Sequence, residues 1–332
     1  FLTDSDDAAV ARAMLRDRGI TDSSVEAFAL GYAPRDPFWL HSFLSKKGYS
    51  SEFLQESGLF TRANPRRALF AGRLMFPIIT QRGDVIAFGG RILEGDGPKY
   101  INSPETILFR KRNSLYGINV ALSAIRSAKS VVLAEGYTDV IALNQAGIVH
   151  SVAPLGTALT DEQAQLLLRY AESIQLVFDG DEAGIQSTRR SAEVFERKET
   201  QVVVTALEPG LDPAQLLLNE GSQAVVDALS SPLTVLEYLL QRSLRENSVA
   251  TPEGKEFVLR ELFPYITLIQ SEVRRGESLR LVADYIGVPV EAVRNDFAKH
   301  VRVAKDGPNT RGKAKSDATG TRGQRQPDQG LT

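Results

Sequence analysis

The sequence of 332 residues contains no cysteine and only three histidines. Without cysteine the chain can form no disulfide, no thiolate nucleophile, no iron–sulfur cluster and no zinc site with thiolate ligands. The histidines, His41, His150 and His300, lie far apart in the sequence, which argues against a histidine-rich metal site. Any metal is therefore expected to bind carboxylate oxygens, as hard cations such as Mg²⁺ and Mn²⁺ do.

Long apolar runs are missing too. No segment approaches the ~20 apolar residues that span a bilayer, so we expect no contact with a membrane. Asp4, Asp6 and Asp7 lie where a secretory signal would carry basic residues, so no signal peptide is expected. The lack of cysteine is consistent with a cytoplasmic location. The sequence also contains no Walker P-loop, no G-x-S-x-G and no G-x-G-x-x-G.

Charge is unevenly distributed along the chain. The formal net charge is −2, yet residues 62–126 contain eleven Lys and Arg against four acids, a local net charge of +7. A basic block within an acidic chain is typical of a surface that contacts phosphates. A solvated basic face with no ligand explains the charge alone equally well.

The hydrophobic pattern divides the chain into four parts. Residues 1–125 combine helical periodicity with a strand hairpin near residues 73–93, which predicts a basic N-terminal α+β subdomain. Short apolar runs alternate with helical segments over 126–230, which predicts a mostly parallel sheet covered by helices. Residues 231–303 favour a C-terminal helical subdomain, and 304–332 a disordered polar tail. The expected fold class is therefore α/β, with a mixed α+β unit before the central sheet and helices after it.

Acidic residues follow three predicted strands of the central region, at residues 131–134, 174–178 and 202–207. The carboxyl ends of parallel strands meet at one edge of a sheet, where ligands bind. Carboxylates brought together repel one another unless a cation neutralises them, so such an edge predicts a divalent metal ion. The acids concerned are Glu135, Asp139, Asp179, Asp181, Glu208 and Asp212.

Two simpler explanations compete with a metal site at this edge. A single Asp-Gly after a strand is usually a turn or a helix N-cap, but three such strand ends in one sheet favour a metal. An EF-hand loop starting at Asp179 is excluded, because its fifth position is Ala183 and its twelfth is Arg190 instead of a bidentate glutamate. Carboxylate-held Mg²⁺ beside a basic block suits phosphoryl or nucleotidyl transfer, or phosphodiester cleavage.

Several motifs carry a family resemblance. EGYTDV at 135–140 and FDGDEAG at 178–184 resemble the TOPRIM signature of primases, topoisomerases and some nucleases. FGGR at 88–91, PKYINSPET at 98–106, LYG at 115–117 and LGTALT at 155–160 are similar to segments of bacterial DnaG-type primases. The order of the motifs agrees from about residue 8 to residue 300, so the chain resembles the RNA polymerase core of that family.

The resemblance implies synthesis of short RNA primers on single-stranded DNA from ribonucleoside triphosphates, by metal-dependent nucleotidyl transfer. It implies that Glu135, Asp179 and Asp181 are catalytic and hold Mg²⁺ or Mn²⁺, with Asp139 and Asp212 as further metal ligands. It implies contacts to nucleotide phosphates or template from Arg73, Arg91, Lys99 and Asn102. The expected location is the cytoplasm, at the bacterial replisome or nucleoid, with a replicative helicase as partner.

The sequence departs from the family pattern in three places. Ala214 replaces a second acid two residues after Asp212, and Leu69 and Ala71 replace arginines. Neither the zinc ribbon nor the helicase-binding domain of full-length relatives is visible, so no zinc site is expected. Two alternatives stay open at this point: a TOPRIM nuclease or topoisomerase fragment, and a non-catalytic DNA-binding module of the replisome.

Overall fold

A computed structural model describes residues 1–156 and 158–305 of the chain. Contacts divide the chain into two compact units, one spanning Phe1–Ser278 and a second that starts at Leu279. The finer subdomain boundaries expected from the sequence stay predictions, and the polar tail lies outside the described residues from 306 onward. Among the described residues, no helix combines the length and apolar character needed to cross a bilayer.

Short helices open the chain because small capping and breaking residues interrupt its apolar periodicity. Gly19 adopts φ +63° just after the first helix, and the Thr21 hydroxyl accepts the Ser24 N–H to begin the next. A two-residue strand precedes a further helix pair. These elements are α1 (Ala9–Asp17), α2 (Asp22–Ala27), β1 (Gly31–Tyr32), α3 (Trp39–Lys46) and α4 (Ser51–Glu56).

The predicted hairpin forms the centre of an antiparallel sheet. Strands β2 (Arg73–Ile79) and β3 (Val85–Ile92) pair along their length, and Gly83 at φ +94° allows the tight turn between them. β1 adds to one side of this hairpin and β4 (Tyr100–Asn102) to the other, giving the order β1-β2-β3-β4. The expected α+β character of the N-terminal region is therefore confirmed.

The central region forms a second, mostly parallel sheet in the order β6-β5-β7-β8-β9. Its first four strands are parallel, and only the edge strand β9 runs antiparallel to its neighbour β8. Apolar side chains of β5 and β7 are fully buried, as expected for strands covered on both faces. The elements are α5 (Ile118–Ala128), β5 (Ser130–Ala134), α6 (Tyr137–Gln145), β6 (Ser151–Val152), α7 (Asp161–Leu168), β7 (Ser173–Val177), α8 (Glu182–Glu196), β8 (Gln201–Val204), α9 (Pro213–Glu220), α10 (Ser222–Ser230) and β9 (Leu233–Thr234).

The remaining described residues are helical, which confirms the predicted fold class. They form α11 (Val235–Glu246), α12 (Pro252–Leu268), α13 (Glu272–Ile286) and α14 (Val290–Lys305). α11 begins with a capping box in which Thr234 and Glu237 satisfy each other's backbone N–H groups. The unit boundary at Leu279 falls within α13, so α14 belongs entirely to the second unit.

Aromatic side chains join the two sheets. Tyr137, at the start of α6, stacks on Phe76 of β2 with ring centroids 5.0 Å apart and meets Tyr116 edge-on at 4.7 Å. All three rings are at least 93% buried. A β-bridge between Tyr116 and Ala153 adds backbone pairing nearby. This ring cluster fixes the antiparallel sheet against the strand ends that carry the acids.

Candidate metal centre

Helices α6, α8 and α9 all begin at the carboxyl edge of the parallel sheet, and acidic residues lie where they begin. Asp139, Asp179 and Asp212 each place a carboxylate oxygen within 4.8 Å of the other two. They come from the first turn of α6, the end of β7 and the N-cap of α9. The edge therefore brings acids from three separate segments into one cluster, as the strand pattern predicts.

Backbone N–H groups orient most of these carboxylates. Asp139 accepts the Gly136 N–H at 2.9 Å, Asp181 the Gly184 N–H at 2.8 Å, and Asp212 the Gln215 N–H at 2.6 Å. Each bond lies in a first helical turn, where the helix dipole also favours negative charge. Asp139 and Asp212 therefore satisfy helix N-termini and belong to the three-acid cluster at the same time, whereas Asp181 caps α8 without being one of those three. The two explanations of acids at strand ends thus do not exclude each other.

Two carboxylate oxygens at this edge have no hydrogen-bond partner among the described residues. Glu135 Oε2 and Asp179 Oδ1 are both buried and unpartnered. Orphaned buried oxygens are costly unless something binds them, and carboxylate oxygens are the ligands that Mg²⁺ and Mn²⁺ prefer. The donor set therefore fits a hard divalent cation.

The cluster shifts the ionisation of its own members. Burial, followed by repulsion from Glu135, Asp212 and Asp181, raises the pKa of Asp179 to about 7, and Lys99 opposes this rise. Burial is also the main cause of the raised pKa of Glu135, to which the charge of Asp181 contributes. The charges are therefore close enough to repel one another and are not neutralised by nearby cations.

Asp139 is the most enclosed acid of the cluster, at 6% exposure. Burial first, and then the charges of Asp179 and Asp212, raise its pKa well above the ordinary range, although the Gly136 N–H works in the opposite direction. A bound cation would reverse this balance, because it attracts the ionised form.

Glycines let the acid-bearing loops approach one another. A Cβ on Gly180 would lie 2.4 Å from the Glu208 carbonyl oxygen and 3.1 Å from Pro209 Cα. A Cβ on Gly184 would lie 2.2 Å from the Asp179 carbonyl oxygen. Both contacts are with backbone atoms that cannot rotate away. Gly180 is therefore required for the loops after β7 and β8 to meet, and Gly184 for the first turn of α8 to lie against Asp179.

Three basic residues predicted to face phosphates differ in exposure. Lys99 is exposed and acts electrostatically on Asp179. Arg73 and Arg91 are each only 8% exposed. Arg73 donates to the carbonyl oxygens of Gly90 and Pro98, both at 3.1 Å, so it holds the backbone next to Lys99. Arg91 donates to the Tyr100 hydroxyl at 2.7 Å, and its buried Nε has no partner in the described part of the chain.

Asn102 is engaged within the protein. Its Nδ2 donates to the Leu155 carbonyl oxygen at 3.1 Å, and its Oδ1 accepts the Tyr137 hydroxyl in a short hydrogen bond. It therefore ties β4 to the loop after β6 and to the first residue of α6. Its predicted contact with nucleotide or template stays a prediction, for which the second N–H of Nδ2 is the remaining donor.

Arginines of α11 lie beside the acidic edge, and no sequence pattern predicts them there. Arg242 and Arg245 line a cleft together with Gly180 and Pro209 from the acid-bearing loops. Arg242 also forms an ion pair with Glu182, the residue after Asp181, at 3.1 Å. Sixty positions separate this pair in sequence, so only the fold reveals it.

The parallel sheet and its acidic edge define a Toprim-type metal-binding unit. The Toprim-like family model matches residues 132–217, and the model described as the N-terminal domain of the DNA primase catalytic core matches 2–122. A DNA primase of Treponema pallidum is 37% identical over 291 residues, 88% of this chain and 48% of its own length.

Solved structures agree with these matches. The RNA polymerase domain of Mycobacterium tuberculosis primase DnaG is 31% identical, with a TM-score of 0.77 over 85% of this chain and 93% of that domain. A DnaG primase catalytic domain bound to single-stranded DNA is 32% identical, with a TM-score of 0.72 over 86% and 91% of the two chains. The chain belongs to the DnaG family of DNA primases, and what it contains is the catalytic core. It spans about half the length of the curated relatives it matches.

One expectation from the sequence is corrected by these matches. The helicase-binding domain was expected to be missing, but the model described as the DnaB-helicase binding domain of primase matches residues 236–291. That segment runs from α11 to the first turn of α14. Its apolar residues follow an ordinary helical pattern, so composition and periodicity alone could not distinguish it from any other helical subdomain.

Proposed function

We propose that this chain synthesises short RNA primers on single-stranded DNA from ribonucleoside triphosphates, as the catalytic core of a bacterial primase. The observation that carries the proposal is the convergence of acids from three segments, with two buried oxygens unpartnered, within a DnaG-family fold. A relative bound to single-stranded DNA supports the choice of template. The comparisons do not favour a nuclease, a topoisomerase fragment or a non-catalytic module.

Glu135, Asp139, Asp179, Asp181 and Asp212 are the residues we propose to hold Mg²⁺ or Mn²⁺. A cation bound there supplies positive charge that orients phosphates and neutralises the charge built up during nucleotidyl transfer. The backbone donors of Gly136, Gly184 and Gln215 keep three of these carboxylates in place. Glu135, Asp179 and Asp181 are proposed to be catalytic.

The basic residues divide into two groups in this proposal. Lys99 is exposed next to the acidic cluster and contacts nucleotide phosphates directly. Arg73 acts through the Pro98 carbonyl that it holds, and Arg91 acts through the Tyr100 hydroxyl to which it donates. Asn102 contributes by fixing the loop after β6.

The three departures from the family pattern lie on the rim of this arrangement. Ala214 is in the first turn of α9, next to the N-cap Asp212, and is half-buried. Leu69 and Ala71 are half-buried just before β2. Arg66 and Arg67 are exposed nearby and have no ion pair in the described residues. We propose that these two arginines supply the positive charge that the positions of Leu69 and Ala71 lack.

Partners and location follow from the family. Residues 236–291 are proposed to contact a replicative helicase, because they match the helicase-binding model. Ribonucleoside triphosphates are the proposed substrates, and the proposed location is the cytoplasm at the replisome or nucleoid. A zinc site is not part of the proposal.

Incorporation of labelled ribonucleotides on single-stranded DNA tests this function. With Mg²⁺ or Mn²⁺ present, Asp179→Asn and Glu135→Gln should each reduce incorporation by at least roughly a hundredfold, because each removes a metal ligand. Glu172→Gln, an exposed acid just before β7 and so at the other end of that strand from Asp179, should leave the rate unchanged. Incorporation that survives Asp179→Asn, or DNA binding with no incorporation under any condition, would reject the proposal.

A further inference from the structure

Helix α8 connects the acidic edge to the helicase-type segment, residues 236–291. Its N-cap, Asp181, belongs to the acidic edge, and the helix continues for fifteen residues to Glu196. Contacts to residues 236–291 occur at both of its ends and near its middle. In the middle, Arg189 Nη2 donates to the Glu261 carbonyl oxygen of α12 at 3.3 Å.

The far end of α8 is held firmly. Glu196 is only 2% exposed, and both of its carboxylate oxygens accept from Arg274 at 3.0 Å. The Tyr265 hydroxyl of α12 donates to the same carboxylate at 3.0 Å. Because a buried carboxylate is stable only with such partners, this end of α8 cannot move independently of α12 and the start of α13.

The near end of α8 is tied to α11 by an ion pair. Arg242 of α11 pairs with Glu182 at 3.1 Å and with Glu246, one turn along its own helix, at 2.5 Å. Arg242 is 28% exposed and Glu182 is 70% exposed. Glu182 directly follows Asp181, so this ion pair fixes the backbone from which Asp181 projects.

We propose that Arg242 is a positioning residue for the acidic edge, so that the segment matched to helicase binding also sets the geometry of metal binding. The inference rests on the metal site of the proposed function. Arg242 touches no acid of the metal set itself; it acts through Glu182, which holds the first turn of α8 and thereby Asp181. The helicase-type segment is then a structural part of the catalytic edge.

Removal of Arg242 has opposite predicted effects on cation affinity in two cases. Arg242 acts either as a positive charge that repels the cation or as a residue that holds Asp181 in place, so the inference is testable. If Arg242 acted only through its positive charge, Arg242→Gln would tighten binding of a divalent cation nearby, because a repulsive charge is lost. If the loss of Arg242 also freed the Glu182 carboxylate to become a metal ligand, the divalent cation would bind more tightly still. If Arg242 positions Asp181, the same change weakens binding despite the lost repulsion.

The experiment measures the Kd of Mn²⁺ by isothermal titration calorimetry on the full chain, with no nucleotide or DNA present. We expect Arg242→Gln to raise the Kd by about tenfold, the lower range for residues that orient metal ligands. Arg242→Lys keeps the charge but has a shorter reach for Glu182, so it should give an intermediate Kd. The matched control is Arg260→Gln, an exposed arginine of α12 with no ion pair in the described residues, which should leave the Kd unchanged.

An unchanged or lower Kd for Arg242→Gln overturns the inference. If that variant shows no cooperative unfolding transition, Arg242→Lys decides in its place: a raised Kd supports the inference and an unchanged Kd overturns it. Failure of the proposed function is seen separately, as absence of ribonucleotide incorporation by the unaltered chain. An unaltered chain that binds no Mn²⁺ overturns both.

Discussion

At the scale of single residues, the acidic edge combines two demands on the same side chains. Asp139, Asp181 and Asp212 satisfy backbone N–H groups at helix starts, while their charges accumulate at one place. Helix caps stabilise the fold, but the crowded charges oppose it. In the absence of a cation, the crowded carboxylates of this edge therefore lower the stability of the folded protein.

Asp139→Asn should make the metal-free chain more stable at about pH 7. The pKa of Asp139 is raised in the folded state because burial and the neighbouring charges oppose its ionisation, and the asparagine removes this cost. We expect a gain in the free energy of unfolding, measured by urea denaturation. The gain should vanish below about pH 4, where the unfolded chain is protonated as well.

The same variant should lose the stabilisation that Mn²⁺ gives to the wild type, because one anionic ligand is gone. Asp96→Asn, in the exposed loop before β4, serves as the control. It should change neither the unfolding free energy of the metal-free chain nor the stabilisation by Mn²⁺. A destabilised Asp139→Asn chain at neutral pH would contradict the argument from crowded charges.

Asp179 makes metal binding depend on pH. Its pKa of about 7 means that it is mostly protonated at pH 6 and mostly ionised at pH 8. Binding requires the ionised carboxylate, so Mn²⁺ affinity should be about tenfold weaker at pH 6 than at pH 8, with proton release near pH 7. Titration calorimetry at each pH measures the Mn²⁺ affinity, and its repetition in two buffers of different ionisation enthalpy measures the number of protons released. Equal affinity at the two pH values would mean that the carboxyl titrates near its ordinary value.

Without metal, the same shift makes the folded state lose stability as the pH rises. The sign follows because the folded chain retains a proton between about pH 4 and pH 7 that the unfolded chain has already released. Metal-bound protein should show no such loss over that range, because the carboxylate that holds the cation is ionised in the folded state as well as in the unfolded chain.

Sequence reasoning could place the acids at one edge, because strand ends in a parallel sheet share that edge. It could not say which of these acids form the tightest cluster. Asp139 joins Asp179 and Asp212 in the tight cluster because the first turn of α6 points it inward, and that orientation depends on how Tyr137 packs on Phe76. Arg242 gave no sequence signal at all, since its partner lies 60 positions away.

At the scale of elements, long periodic segments were predicted well and short ones were not. The apolar runs at residues 131–134 and 174–178 located β5 and β7. Among the two- and three-residue strands, β1, β4 and β9 are too short for a period to show. Whether such residues become strands depends on a neighbouring strand, as for Leu233 beside Val204.

Gly180→Ala should separate the loops after β7 and β8. The new Cβ would lie 2.4 Å from the Glu208 carbonyl oxygen, so the backbone must move and the acids it carries must spread. We expect a loss of about 2 kcal/mol in unfolding free energy and a clearly weaker Mn²⁺ affinity, both read from thermal unfolding at several Mn²⁺ concentrations.

Gly276→Ala is the matched control for this change. A Cβ at Gly276 has open space around it, and the residue lies within α13, where alanine is the better helix former. This variant should be slightly more stable with unchanged Mn²⁺ affinity. If Gly180→Ala behaves in the same way, the two loops do not depend on each other.

At the scale of the whole molecule, the positive charge of the N-terminal region faces a polyanionic substrate in the proposed function. Arg66→Ala with Arg67→Ala should weaken binding of single-stranded DNA at low salt. The slope of log affinity against log salt should fall by about 1.4, the contribution of two phosphate contacts on a single strand. Fluorescence anisotropy over a salt series measures it.

The control for this pair removes the same charge elsewhere. Arg169→Ala with Arg260→Ala, two exposed arginines without ion pairs in the described residues, should leave the slope unchanged. If both double variants lower the slope of log affinity against log salt equally, Arg66 and Arg67 make no phosphate contacts of their own and contribute only to the net charge of the protein.

The ring cluster of Phe76, Tyr116 and Tyr137 has a consequence for how substrate is received. Because the three rings are buried and touch each other across the seam between the sheets, the spacing from strand β4 to the carboxylates is settled when the chain folds. Substrate binding then needs to order few further residues between the two sheets, and the proposed catalytic groups are preorganised for their reaction. In the proposed function, a template strand and a nucleotide therefore meet carboxylates whose distance from β4 does not change on binding, which favours substrates of uniform backbone geometry over any particular base sequence.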